Sequence, residues 1–151
     1  MKINFDENIK EDQLKDMFVN DDKCLEYLSI IKWSLNFECR KCGNDNSCDG
    51  KIPYSRRCTR CKNEESAIAN TIFHNIKFPV SKAFYIVYNV CRNQRSLSTY
   101  DMAIQLGLRQ ITCWNFKHKV ENKLVRLNNA SANETVSMLD MLIGNAESPF
   151  L

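Results

Sequence analysis

Cys39-Arg40-Lys41-Cys42-Gly43 and Cys58-Thr59-Arg60-Cys61-Lys62 are the stretches that decide the fold, two Cys-x-x-Cys pairs with fifteen residues between them. Two residues between cysteines let one turn aim both thiolates at a single ion while its backbone amides bond to the sulfurs. Each pair is therefore a knuckle, and Gly43 supplies the positive φ that closes the first. Four soft donors in a tetrahedron suit Zn2+, one ion per chain, held by Cys39, Cys42, Cys58 and Cys61. Asn36-Phe37-Glu38 and Pro53-Tyr54-Ser55-Arg56 read as short strands, so the expected object is a zinc ribbon of β-hairpins.

Other uses of these thiols fit less well. Disulfides need an oxidising compartment, and Met1-Lys2-Ile3-Asn4-Phe5-Asp6 has no apolar signal segment, so a cytoplasmic, nucleoid-associated protein with reduced thiols is expected. A redox pair would need only one Cys-x-x-Cys. Four closed thiolates leave no position for water, so the metal should hold the fold and not catalyse. Cys24, Cys48, Cys91 and Cys113 are read as packing or semi-exposed thiols, with Cys48 the one rival ligand. His74 is read as a packing or capping residue, not a fifth donor.

The chain of 151 residues, 44% hydrophobic, can bury one ordinary core besides the metal-held module. No apolar run is long enough to span a bilayer. The net charge of +3 conceals a division: residues 1–30 carry four lysines against eight acids, residues 31–127 seventeen Lys and Arg against seven acids, and residues 128–151 three acids and no base. A basic middle between acidic ends is what a phosphate-binding surface looks like, although an uneven solvated surface has the same composition.

Within the basic block, Ser98 or Thr99 can cap a helix that has Asp101 in its first turn, with Tyr100, Ala103, Ile104 and Leu106 as apolar positions and Gly107 as its stop. A second helix then places Cys113, Phe116, Val120, Leu124 and Leu127 on one stripe. A small residue where two helices cross, a glycine at the turn and a buried stripe are the pattern of a helix-turn-helix, which a plain helical hairpin can mimic. Its outward residues would be Arg109, Gln110, Thr112, Asn115, Lys117, His118, Lys119 and Asn122, amides and Arg for base edges and lysines for phosphates. Trp114 is read as a lid between helices in preference to insertion against DNA. Glu11–Val19 and Asp21–Lys32 read as helices, the second turning Leu25, Leu28, Ile31 and Trp33 toward the ribbon. A helix from Pro79 to about Asn93 would complete a trihelical domain.

In this order the pieces resemble the N-terminal part of zinc-ribbon insertion-sequence transposases, from about Leu14 to Gly144. The matching stretches are Cys24-Leu25-Glu26-Tyr27-Leu28 with Trp33, the ribbon through Cys61, Ser66-Ala67-Ile68-Ala69-Asn70-Thr71-Ile72-Phe73-His74, and Leu106-Gly107-Leu108 through His118-Lys119. Asn70 stands where the family has glycine, and asparagine also tolerates positive φ. The resemblance implies a following DDE nuclease opened by a strand with an Asp-Glu pair. Ser137–Gly144 offers only Asp140, and one aspartate cannot bridge two cations, so no cutting or joining of DNA is expected.

The reading is a small α+β chain: N-terminal helices over 1–33, ribbon over 34–74, helix-turn-helix domain over 75–128, and an apolar tail over 129–151. The expected function is sequence-specific binding of double-stranded DNA, by a regulator or a truncated transposase. The alternatives are an adaptor whose ribbon docks on a protein such as the transcription machinery, and an accessory of a separate transposase. The tail from Thr135 to Ile143 is expected to join a homodimer, with packing on the chain's own helices or on a partner as the other ways to cover it.

Overall fold

The structure is a computed structural model that describes residues 2–4, 11–34, 36–92, 98–130 and 135–137. Helices α1 (Glu11–Val19) and α2 (Asp21–Lys32) stand where periodicity placed them. Asn20 separates them: its extended backbone ends α1, and its Oδ1 accepts from the amides of Asp22 and Lys23 at 3.0 and 3.3 Å to start α2.

An antiparallel sheet follows, in the order β2 (Ser47–Asp49), β3 (Arg56–Cys58), β4 (Glu64–Glu65), with Cys48 opposite Arg57 and Arg57 opposite Glu64. The strands lie elsewhere than expected. Residues 36–38 are irregular, and Pro53-Tyr54 forms a turn with Tyr54 at φ 65°. Backbone commitments explain the second: Gly50 N to Ser55 O and Ser55 N to Ile52 O close a loop over 50–55. Only from Arg56 are amides and carbonyls free for a ladder.

Helices α3 (Val80–Arg92), α4 (Thr99–Leu106) and α5 (Gln110–Ala130) complete the described chain. Ser98 Oγ caps α4 by accepting the Asp101 amide at 3.1 Å, and Gly107, at φ 65°, ends it. Of the four apolar positions expected on α4, Ala103 is in the core and Leu106 packs against it, but the other two are not there. Tyr100 and Ile104 are 60% and 63% exposed, while Met102 and Ala103 are buried against the core. On a helix of two turns, the neighbour decides the face, and α5 supplies that neighbour. The stripe of α5 holds: Cys113, Phe116 and Val120 are buried and Leu124 and Leu127 pack beside them.

One core joins Met17, Cys24 and Leu28 of α1 and α2 to Phe84 and Val87 of α3, Met102 of α4 and Phe116 of α5. The segment between ribbon and α3 plugs it with Ile72 and Phe73, the latter ring 6.2 Å from Phe116. Thus α2 packs on α1 and α3 rather than laying its whole apolar side on the ribbon; of the residues expected there, Trp33 meets Phe37, their rings 5.6 Å apart. The larger apolar surface of α3 outcompetes the small ribbon for Leu28.

Strand β1 (Lys2–Asn4) pairs in parallel with β5 (Thr135–Ser137), Ile3 opposite Val136. The start of the apolar tail thus pairs with a segment near the chain's own N-terminus and also touches α5. Met138 to Ile143 and Asp140 lie outside the described residues.

Candidate metal centre and helical face

The two knuckles are built by the same hydrogen bonds. Gly43 N bonds Cys39 O at 2.8 Å and Lys62 N bonds Cys58 O at 3.1 Å; Cys39 N reaches Asn44 O and Cys58 N reaches Asn63 O, at 2.8 and 2.9 Å. Gly43 and Lys62 both take positive φ, 76° and 66°, so Lys62 adopts with a side chain the conformation that Gly43 takes without steric cost. The folded ribbon brings the four sulfurs within 4.8 Å of one another, with Cys39 to Cys61 and Cys42 to Cys58 at 3.5 Å. Cys39 and Cys58 are buried and Cys61 is half-buried.

Around the sulfurs lie donors aimed at negative charge. The amides of Arg60 and Cys61 reach Cys58 Sγ at 3.4 and 3.5 Å, and Asn44 Nδ2 reaches it at 3.4 Å. Burial opposes a thiolate at Cys58, but the Cys61 amide, Asn44 and the Arg60 amide outweigh it and bring the thiol down to about 5. At Cys42 the Asn44 amide favours the thiolate, yet burial and hydrogen bonds shared with the other thiols push it up to about 11. A proton is thus shed readily at one sulfur and retained at another, and metal binding would displace what remains. The donor set fits one structural zinc, closed by four thiolates.

Asn44 is a residue that spacing did not reveal. Buried, it also bonds Asn46 O and Thr59 Oγ1, both at 3.1 Å, and so ties the first knuckle to the second. Cys48 is exposed on β2 and outside the sulfur cluster, and Cys24 and Cys113 are buried thiols of the core. His74 Nδ1 accepts the Asn70 amide at 3.1 Å, a capping role. Asn70 does take positive φ, 57°, and its Nδ2 bonds Glu65 Oε1 at 2.7 Å.

That carboxylate is the hub of a buried latch. Glu65 Oε1 accepts Arg40 Nε from the first knuckle at 2.8 Å and lies 3.4 Å from Lys32 Nζ at the end of α2. Lys32 also donates to Ser66 O and Ala69 O at 2.8 and 2.6 Å. The Lys32 and Glu65 side chains are only 7% and 8% exposed. Burial lowers the Lys32 amine to about 8, against the pull of Glu65.

On α5, the eight predicted outward residues divide. Arg109, Gln110, Asn115, His118 and Asn122 are exposed; Thr112, Lys117 and Lys119 are half-buried on the flanks. Lys117 Nζ stands 3.9 Å from Glu121, and burial lowers the Lys119 amine. Trp114 is no lid: it is 46% exposed, and its ring lies 4.0 Å from that of His118 one turn on. Ile111, at 59% exposure, shares this face and was missed, because a stripe on the opposite side already accounted for the helix's apolar residues.

Residues 19–64 match the family profile described as a transposase zinc-ribbon domain. This part of the chain is similar to a transposase zinc ribbon. No curated protein and no solved structure matches the chain. The matched segment takes in α2, both knuckles, β2 and β3. It stops one residue before Glu65, so the latch fastens it to structure beyond the matched domain. Among the described residues no helix is long and apolar enough to cross a membrane.

Proposed function

We propose that the chain is a sequence-specific double-stranded DNA-binding protein, transposase-derived, in which α4 and α5 work as a helix-turn-helix and the zinc ribbon is structural. The observation that carries this reading is the exposed face of α5 beside a transposase ribbon. Arg109, Gln110 and Asn115 stand in solvent at its leading end, and no acidic residue occurs from Met102 to Val120. Such a face suits the major groove: guanidinium and amide groups for base edges at its leading end, with the nearest carboxylate on the helix, Glu121, set beside Lys117 and His118. In this reading the protein acts by binding and not by catalysis, and its zinc, closed by four thiolates, holds the ribbon together.

The test is duplex affinity as a function of salt, followed by selection of bound sequences from a random pool. Affinity that falls steeply with salt and converges on one sequence supports the reading. Unselective binding, or metal-dependent nicking of the duplex, would overturn it.

One observation favours a second reading, an adaptor that docks through its ribbon. An open cleft between α2 and the ribbon hairpin is lined by Ile30, Trp33, Phe37, Ile52, Pro53 and Tyr54. Ile30 and Ile52 are exposed within it. A protein complex that survives nuclease and is lost in Ile52→Asp would favour the adaptor.

A further inference from the structure

The face of α5 that meets solvent is not the uniformly polar surface that hydrogen-bonding readout alone requires. Ile111 and Trp114 are one turn apart at i and i+3, with Asn115 and His118 on the same stripe. Both apolar side chains are well exposed, and Trp114 is steadied by the His118 ring, 4.0 Å away and tilted 49°. His118 Nδ1 in turn lies 3.4 Å from Glu121. An isolated exposed apolar residue needs no explanation, but an adjacent pair braced from behind at the centre of a leading face does.

The chemistry around the pair specifies its partner. Gln110 precedes Ile111 and Asn115 follows Trp114, and both amides can bond the N6 and N7 edge of adenine. Each adenine so read is paired with a thymine, whose C5-methyl projects into the same groove. No acid occurs from 102 to 120, and Glu121 at the far end of the stripe is set beside Lys117 and His118. We infer that Ile111 and Trp114 contact thymine methyl groups, so that α5 selects A·T-containing duplex DNA by apolar contact alongside its amide hydrogen bonds. This inference rests on the DNA-binding reading above and deepens it.

The test uses the full zinc-loaded chain and the duplex selected from a random pool, compared with the same duplex in which thymine is replaced by deoxyuridine. The substitution removes the methyl and leaves the hydrogen-bonding edges in place. The uracil duplex should bind about fourfold more weakly for each methyl in contact, the factor expected from one buried carbon. In Ile111→Ala and Trp114→Ala the thymine duplex should fall toward the uracil duplex, shrinking the difference between them. Equal affinity of the wild-type chain for both duplexes, or a selected site without A·T pairs, would overturn the inference while leaving DNA binding intact. Failure to bind any duplex would instead remove the underlying reading. Solution mass supplies the last outcome: a wild-type dimer that Trp114→Ala converts to a monomer would show that a second copy, not thymine, covers this face.

Discussion

Glu65 accepts from Arg40 and Asn70 and lies beside Lys32, so one buried carboxylate joins the first knuckle, the end of α2 and the segment leading to α3. Removing one member of a buried pair strands the other charge. Glu65→Ala should therefore cost about 3–5 kcal/mol in denaturant unfolding with zinc present, while elemental analysis still finds one zinc per chain because no ligand is touched. Lys32 gives the same site a pH signature. Its folded value, about 8, lies below the ordinary 10.5, so between those pH values the unfolded chain holds a proton that the folded chain has released. Stability contributed by this group must then rise with pH across that window. Unfolding midpoints of the wild type measured against Lys32→Met from pH 8 to pH 10 should diverge in favour of the wild type, and parallel curves would deny the shift.

Elements differ in what holds them. The strands β2, β3 and β4 have three, three and two residues, and no residue between 36 and 65 belongs to the buried core. The ribbon's folding energy is therefore largely metal-binding energy. A strong chelator should abolish amide protection over 36–65 while the helical signal of α1–α5 persists; joint loss of both would show that the latch carries the helices as well. On α5, Gln110→Ala or Asn115→Ala should weaken binding to the selected site by about 1–3 kcal/mol and leave random-sequence binding nearly unchanged. Arg109 is a better phosphate or guanine contact to remove than Lys117 or Lys119, both half-buried on the flanks. For α4, Ser98→Ala should lower unfolding stability by about 1 kcal/mol, since it deprives the Asp101 amide of its acceptor.

At the scale of the whole molecule, two short strands far apart in sequence pair with each other. Lys2–Asn4 lies parallel to Thr135–Ser137, a pairing between segments at opposite ends of the sequence. A chain lacking residues 1–5 would leave the β5 backbone unpaired on that side, and an open edge beside an apolar run invites association. Sedimentation of that deletion should show concentration-dependent self-association beyond that of the full chain. Unchanged behaviour would mean that the strand pair does not guard the tail.

Much of this architecture was legible in local sequence because its causes are local. Chelating knuckles depend on a two-residue spacing, helix starts on Asn20 and Ser98, and the end of α4 on Gly107, all interactions within about one turn of chain. The buried stripe of α5 was equally readable from its period. Tertiary structure decided the rest, because competition between distant surfaces has no local signature. It set Met102 and not Tyr100 or Ile104 against the core, gave Leu28 to α3 rather than the ribbon, brought Glu65 to Lys32 across more than thirty residues, and left Trp114 in solvent. The residue types on the outer face of α5 were written in the sequence; which of them reach solvent followed only from how deeply the helix sinks between its neighbours.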